Sequence, residues 1–341
     1  MRKIALSLFV LAVSISSYAG MPELKFNKKG EFKIVMLTDL HLNVDKPGEA
    51  EKTYARIDFI INAEKPDFIA VTGDVLYGNS SSLEFLQRLV DKFDASGVPF
   101  AIEFGNHDRE HGRDAVEMSR IITSSPFNCN QLTEGNVLAD NRIQVSPTKK
   151  RKAAPLDVYM FDSHDYTKLG RNGDKSYSYL SFDQIAWYLA ECRKSNAAAG
   201  VEHVPSVAFF HIPFPEFYDA WVDAQEHEHN GVTGIRGEYG GHPKVNSGMF
   251  AAMLESGNMT GVFCGHDHDS DYIVDYHGIA LVYGRFSGDD TVYNHLAHGT
   301  RVIVFKEGEM GFRTYIHEDD GRIQHKSIFV NGAFVDKSFN I

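Results

Sequence analysis

The chain has 341 residues, of which 43% are hydrophobic and 23% are charged, and its formal net charge is −12. This composition excludes a disordered or fibrous protein and is sufficient for one large core or two moderate ones. An acidic surface repels nucleic acid and anionic lipid headgroups, so we expect no nucleic-acid-binding surface. A phosphate-bearing substrate would have to be attracted locally, by metal ions or by a few arginines.

The N-terminus has the pattern of a secretory signal peptide. Arg2 and Lys3 precede an apolar run over residues 4–13, and a small-x-small cleavage site ends at Ala19. We expect residues 1–19 to be removed and residues 20–341 to form a single periplasmic or secreted domain. An uncleaved anchor is the alternative, although the run is too short for a membrane-spanning helix. No later segment is long and apolar enough to cross a bilayer.

The three cysteines, Cys129, Cys192 and Cys264, are scattered and lack CxxC spacing. They form neither a disulfide framework nor a zinc–thiolate site. A single disulfide remains open.

The first half of the chain alternates between strand and helix patterns. Strands are predicted at 33–38, 67–72 and 99–104, and the intervening segments 49–65 and 81–96 have helical spacing. Such alternation indicates parallel strands joined by helical crossovers. Further along, strands are predicted at 157–163, 206–211 and 260–264, and a helix at 181–200 with a serine cap and a glycine stop.

After residue 270 only short alternating strands are predicted, which indicates a second, mainly antiparallel sheet. We therefore expect an α/β fold in which two mixed β-sheets pack as a sandwich flanked by helices. Residues 213–248 are rich in Gly, Pro, His and aromatics, and we expect a long irregular, functional loop there. Within it, the EHEH run at 226–229 is interpreted as a solvated charge run.

Polar side chains follow five predicted strands, at the point where each strand ends. They are Asp39 and His41, Asp74, Asn106 with His107 and Asp108, His211, and His266 with His268. Because the carboxyl ends of parallel strands share one edge of a sheet, we expect these groups to converge. Taken singly, each has a structural alternative such as a helix cap, a turn or a core histidine.

The chemistry of this set indicates metal binding. Carboxylates, imidazoles and one amide suit Zn, Mn or Fe, and there are too many ligands for one tetrahedral ion. Seven candidates divide over two divalent or trivalent ions with a shared carboxylate, an arrangement suited to displacement at phosphorus.

The run DxH, GD, GNHD, H and GHxH resembles the calcineurin-like metallophosphoesterase superfamily, in order and over most of the chain. The resemblance implies a double β-sandwich flanked by helices that hydrolyses phosphate esters. It implies one ion held by Asp39, His41 and His268, a second held by Asn106, His211 and His266, and Asp74 as the bridge.

The resemblance also implies a mechanism. A metal-bridging hydroxide attacks the phosphorus of a small phosphorylated substrate, and His107, oriented by Asp108, protonates the leaving group. Phosphate monoesters are the expected substrates. The alternatives are a phosphodiesterase or nucleotidase of the same fold, or a non-catalytic envelope binding protein.

FFHIPFPEF and YGRFSG are similar to the purple-acid-phosphatase-related branch. Tyr77 has the spacing of that branch's metal-bound tyrosine, but His41 fills the ligand position, so we expect Tyr77 to pack at the start of the next helix. His164 and Arg285 are candidates for substrate contacts, as are Arg236 and Glu238 on the irregular segment.

Overall fold

The computed structural model describes residues 21–78, 82–148, 153–226, 231–293, 295–335 and 339. The predicted signal peptide and residues 227–229 of the EHEH run lie outside the described residues. Within them, no helix combines the length and the apolar character needed to cross a membrane.

The helices and strands alternate through most of the chain. The α-helices are α1 (Pro47–Glu64), α2 (Leu83–Ser96), α3 (Ala115–Thr123), α4 (Phe182–Ala199), α5 (Glu216–Glu226) and α6 (Met249–Ser256). The strands of the first half are β1 (Leu24–Lys25), β2 (Glu31–Leu37), β3 (Phe68–Thr72), β4 (Phe100–Glu103), β5 (Asn141–Ser146), β6 (Leu156–Met160), β7 (Tyr166–Leu169) and β8 (Asp174–Tyr177). Those of the second half are β9 (Ser206–Phe210), β10 (Val232–Thr233), β11 (Met259–Cys264), β12 (Ile273–Tyr276), β13 (Ile279–Tyr283), β14 (Gly299–Lys306), β15 (Gly311–Glu318), β16 (Ile323–Val330) and β17 (Ala333–Phe334).

Two large mixed sheets form the centre of the fold. One has the strand order β17-β16-β15-β14-β2-β3-β4, and the other has the order β1-β5-β6-β9-β11-β13-β12-β10. Strands β2, β3 and β4 are parallel, as are β6, β9, β11 and β13. The parallel runs follow from the βα alternation, because a helical crossover returns the chain to the same end of the sheet.

The core has three apolar layers, and the side-chain alternation of β2 shows how they arise. Ile34 and Met36 face the layer between the two sheets, whereas Val35 and Leu37 face the layer beneath α1–α3. The third layer packs α4–α6 on the outer face of the other sheet. The predicted α/β sandwich flanked by helices is therefore confirmed.

The division of the late strands between the sheets was predicted wrongly. They do not form one separate antiparallel sheet, because β12 and β13 join β11 while β14–β16 extend the sheet of β2. Val262 pairs with Leu281 in the first case, and Ile34 pairs with Ile303 in the second. Alternating hydrophobicity reports a buried face but not the distant strand that completes it.

The segment predicted to be irregular contains a helix. Phe217, Ala220 and Ala224 are buried on one face of α5, at helical spacing. The surrounding glycines and prolines obscured this pattern. The three cysteines are all buried and free.

Candidate metal centre

The polar residues predicted to converge lie on the loops that leave β2, β3, β4, β9 and β11. Those strands belong to both sheets, so the loops meet where the carboxyl ends of two parallel runs lie side by side. The side chains form two buried clusters whose ligand atoms lie within 4.8 Å of one another. One cluster is Asp39, His41 and His268, and the other is Asp74, His211 and His266.

Asp74 lies between the two clusters. Its Oδ2 atom is 3.1 Å from His211 Nε2 in its own cluster and 3.6 Å from His41 Nε2 in the other. Its Oδ1 atom accepts a hydrogen bond of 2.8 Å from the backbone N–H of His107. One carboxylate oxygen is therefore available to both clusters, which is the position a bridging ligand requires.

Backbone carbonyls fix the ring nitrogens of three histidines. His41 Nδ1 donates to the carbonyl of Asp290 (3.0 Å), and His211 Nδ1 donates to that of Thr72 (2.8 Å). His268 Nδ1 donates to a third carbonyl at 2.5 Å. Because a carbonyl only accepts, the proton stays on Nδ1, and each Nε2 presents its lone pair to a carboxylate of the clusters.

Two buried atoms without hydrogen-bond partners among the described residues support a cation at this place. They are His41 Nε2 and Asn106 Oδ1. The amide of Asn106 donates through Nδ2 to the hydroxyl of Tyr166 (3.1 Å), which leaves the carbonyl oxygen free to coordinate. Unpaired buried acceptors are costly, and metal ions satisfy them. The donor set of imidazole, carboxylate and amide oxygen fits a pair of Zn, Mn or Fe ions.

Four of the clustered residues have a left-handed backbone. The φ angles are 53° at Asp39, 46° at His41, 49° at Asp74 and 76° at His266. This conformation is unfavourable for residues with a Cβ and concentrates at functional sites. The loops therefore hold these side chains in an orientation that local backbone preference alone would not select.

Glycines allow the loops to approach one another closely. A methyl group on Gly105 would lie 2.2 Å from Asp74 Oδ1, and one on Gly265 would lie 1.9 Å from Thr38 Oγ1 and 2.7 Å from Asp39 Oδ2. Glycine directly before Asn106 and His266 is thus required by space, as the sequence indicated.

The charges in the clusters are balanced by protons when metal is absent. Burial alone would raise the pKa of Asp39 and Asp74, but neighbouring imidazoles lower the pKa of Asp39 to about 2 and that of Asp74 well below its usual value. Burial would lower the pKa of His211 and His268, but the carboxylates raise both to about 9. For His266, burial and the charge of His211 lower the pKa to about 3. Cations would therefore replace two imidazolium protons on binding.

His107 has a carboxylate partner, but it is not the predicted one. Its Nδ1 donates to Glu110 Oε2 (2.8 Å), and its Nε2 lies 3.9 Å from Asp74 Oδ2. Asp108 instead accepts the backbone N–H groups of Leu76 (2.8 Å) and Gly105 (2.7 Å). Asp108 therefore fixes the loops after β3 and β4, and the prediction that it orients His107 is wrong.

A model of the family described as calcineurin-like phosphoesterase matches residues 32–270. The chain belongs to this family. The resemblance drawn from the motifs is thereby confirmed.

This phosphoesterase has relatives among curated proteins and solved structures. It is 28% identical to probable inactive purple acid phosphatase 14 of Arabidopsis thaliana, over 79% of this chain and 73% of that protein. It is 29% identical to phosphatase DCR2 of Saccharomyces cerevisiae, over 74% of this chain and 46% of that one. A dimetal phosphatase from Danio rerio superposes with a TM-score of 0.52 at 12% identity, over 88% of this chain and 99% of the other, and shares the fold.

Tyr77 packs on the metal centre of the phosphoesterase. Its ring stacks on that of His41, with centroids 4.6 Å apart and planes 16° apart, and contacts the edge of His107 at 4.9 Å. The residue thus packs against two histidines of the site, where packing at the start of α2 was expected.

Arg285 does not contact substrate. It is 1% exposed, and its guanidinium bonds to Asp271, to Glu318 (3.1 Å) and to the carbonyl of Ala297 (2.5 Å). The prediction of a substrate contact is wrong, because two buried carboxylates require this cation as their partner.

The other candidates for substrate contacts have structural partners. His164 Nε2 lies 3.1 Å from Gln184 Oε1. The guanidinium of Arg236 stacks over the ring of Tyr218 at 4.9 Å, and Glu238 accepts the backbone N–H of Asp269 at 2.7 Å. None of these contacts involves the two clusters of the phosphoesterase.

The sequence analysis missed two tyrosines beside the metal centre. Tyr166 and Tyr177 lie opposite each other on the β7–β8 hairpin and stack with ring centroids 5.5 Å apart. Tyr177 contacts the His266 ring at 4.6 Å. The dipeptide Asn172-Gly173 between the strands is a hairpin signal that could have located them.

Proposed function

We propose that the chain is an exported, metal-dependent phosphatase that hydrolyses phosphate monoesters. The observation that carries the proposal is the position of Asp74 Oδ2 between two clusters, each of which presents imidazole lone pairs. Membership of the calcineurin-like phosphoesterase family supports the reaction class.

Each residue of the clusters has a role in holding two ions. Asp39, His41 and His268 would hold one ion, Asn106, His211 and His266 the other, and Asp74 both. When bound, the ions would lower the pKa of water to supply a nucleophile and would offset the charge on the phosphoryl oxygens.

His107 supplies the proton for the leaving group. Its Nε2 faces the metal centre, its Nδ1 is held by Glu110, and its side chain is 27% exposed and so open to substrate. The carboxylate of Glu110 stabilises the imidazolium and fixes the ring, so that Nε2–H points to the departing oxygen. Glu110 is thus a positioning residue for the acid.

Charge favours monoesters over diesters. A terminal phosphate carries up to two negative charges and a diester carries one, so two adjacent cations attract the monoester more strongly. The diesterase alternative would require a site that gives up this advantage.

A binding protein without turnover is the second candidate. It is favoured by one observation, namely that similar proteins from Arabidopsis thaliana bear the name probable inactive purple acid phosphatase. Against it, this chain has the complete ligand set and a proton donor beside it.

The decisive experiment combines metal analysis with two substrates. The protein is loaded separately with zinc, manganese and iron, and its turnover of p-nitrophenyl phosphate is compared with that of bis-p-nitrophenyl phosphate. We expect two ions per chain and a preference for the monoester. Two bound ions without turnover of either ester would establish the binding protein instead.

Replacing Asp74 with asparagine tests the bridge. D74N retains the shape but removes the shared negative charge, so we expect loss of bound metal and of activity together. D183N, at an exposed position in the first turn of α4, is the matched control and should retain both. Normal hydrolysis by D74N would refute the mechanism.

Export is proposed from the N-terminal pattern alone. Edman sequencing of protein recovered from outside the cytoplasm should begin at Gly20. An intact Met1 in that fraction would refute cleavage at this site.

A further inference from the structure

A cavity of about 930 Å³ lies beside the second cluster of the metal centre. One wall is the β7–β8 hairpin and the other is the loop 240–244. Its lining residues are Tyr166, Thr167, Lys168, Lys175, Ser176, Tyr177, Gly240, Gly241, His242 and Lys244.

The cavity is continuous with the metal centre on both walls. On the hairpin, Tyr177 contacts the ring of His266 at 4.6 Å, and the hydroxyl of Tyr166 accepts a hydrogen bond from Asn106. On the opposite wall, a methyl group on Gly241 would lie 2.5 Å from His266 Nε2. A phosphate ester at the metals therefore extends its leaving group into this cavity.

The hairpin register arranges the first wall in two steps. Tyr166 pairs with Tyr177, and Lys168 pairs with Lys175. Since side chains two residues apart share a face, both pairs lie on the same side of the hairpin, with the lysine pair about 7 Å beyond the tyrosine pair. The order from the metals outward is thus an aromatic pair followed by a cationic pair.

Lys244 adds a third positive charge from the other wall. Its backbone N–H donates to Ser176 Oγ at 3.0 Å, which docks the loop on the hairpin. In the described part of the chain, Lys168, Lys175 and Lys244 have no carboxylate within ion-pair distance. Three unpaired ammonium groups at the outer end of one cavity are unusual in a chain with a net charge of −12.

We propose that the substrate is a phosphate monoester of a planar ring that carries a second anionic group on the far side of that ring. The ring lies against Tyr166 and Tyr177, and the second anion, a carboxylate or a phosphate, is bound by Lys168, Lys175 and Lys244. This inference rests on the proposed function, because the metals are assigned the scissile phosphate. The lysine pair lies on the order of 10 Å from His266, so a planar spacer is needed between the two anions.

Two aryl phosphates of nearly equal shape test the proposal. 4-Carboxyphenyl phosphate carries the second anion, and 4-carbamoylphenyl phosphate carries a neutral amide in its place. We expect the ratio of their kcat/KM values to fall about tenfold in the double variant K168Q/K175Q, and less in K244Q. Because the ratio is compared between proteins, the different acidity of the two leaving groups cancels.

The matched control is K28Q/K29Q. These exposed lysines lie in the turn before β2, at the end of the strand opposite the metal centre, and the double variant changes the net charge by the same amount. We expect the ratio to match that of the unmodified chain. An equal fall in the control would attribute the effect to net charge and overturn the proposal, as would no fall in the lysine variants.

A binding measurement separates failure of this inference from failure of the proposed function. Calorimetric titration of the metal-loaded protein with 4-carboxyphenylphosphonate and with 4-carbamoylphenylphosphonate needs no turnover. If no ester is hydrolysed but the lysine variants lose preference for the carboxylate, the substrate-site inference stands and the phosphatase proposal fails. If esters are hydrolysed and the Kd ratio is the same in all variants, only this inference fails.

Discussion

Replacing Glu110 with glutamine (E110Q) should slow the hydrolysis of esters that need a proton on the leaving group. In the structure, Glu110 Oε2 accepts from His107 Nδ1 at 2.8 Å, while Oε1 accepts from Tyr166 at 3.3 Å. Glutamine can still accept the bond from His107, so the ring stays in place. It lacks the negative charge that stabilises the imidazolium, so only the chemistry of the acid is weakened.

The size of the effect follows from the exposure of the pair. A hydrogen bond to a charged group contributes about 1.5–3 kcal/mol when it is shielded from water. The side chains of His107 and Glu110 are 27% and 29% exposed, so solvent screening brings the contribution to about 1.4 kcal/mol. This corresponds to about a tenfold loss of rate in E110Q, compared with about 10²–10⁴-fold when the acid itself is removed in H107Q.

The assay compares two leaving groups. Phenol has a pKa of about 10, as in tyrosine, and needs a proton as it departs, whereas p-nitrophenol is much more acidic and leaves as the anion. We expect kcat for phenyl phosphate to fall about tenfold in E110Q while p-nitrophenyl phosphate is affected little. Metal content should not change. E117Q, at a side chain that is 48% exposed on α3, is the matched control.

An equal fall for both substrates would refute this reasoning. It would mean that Glu110 supports the metal centre or the fold, since proton donation distinguishes leaving groups and a structural role does not. Loss of bound metal in E110Q would lead to the same conclusion.

Three further results are expected. Because the pKa of His211 and of His268 is raised to about 9, both imidazoles are protonated in the metal-free chain below that pH, so metal binding should release about two protons and weaken as the pH falls; calorimetry in buffers of different ionisation enthalpy measures this release, and its absence would contradict the charge balance. G265A should destabilise the protein by about 1–3 kcal/mol in urea and reduce its metal content, because the added methyl group overlaps the loop after β2, whereas G48A, with nothing within 4 Å of its methyl group, should change neither. R285M should lower the free energy of unfolding by about 3–5 kcal/mol, because it leaves two buried carboxylates without their cation; a loss below about 1 kcal/mol would contradict this.

The ligand set was predictable because it is encoded locally. Gly73-Asp74 and the other motifs directly follow buried strands, and parallel strands bring such positions to one edge whatever their separation in sequence. The sequence therefore indicated the carboxylates and imidazoles, as well as the glycines that make their close approach feasible.

The partners that orient those ligands were not predictable in this way. The carbonyl that fixes His41 belongs to Asp290, 249 residues further along the chain. Backbone carbonyls have no sequence signature, so only the folded chain shows which of them a given ring meets. The tautomers of the histidines are thus a tertiary property.

The choice between Asp108 and Glu110 shows why proximity in sequence misleads. Both carboxylates lie within three residues of His107, and the adjacent one appeared the natural partner. However, two backbone N–H groups after β3 and β4 need an acceptor, and the short side chain of Asp108 satisfies both. The longer Glu110 is then the one that reaches the ring.

The electrostatics of the site must be local, because the chain as a whole repels an anionic substrate. At physiological ionic strength, charges more than about 8 Å apart across solvent are largely screened, so most of the net charge of −12 is not felt inside the cavity. Lys168, Lys175 and Lys244 and the two proposed ions act over shorter distances than this on a substrate that spans them. An acidic surface is therefore compatible with binding a phosphate ester, provided that its positive groups are confined to one cavity, and the β7–β8 hairpin confines them there.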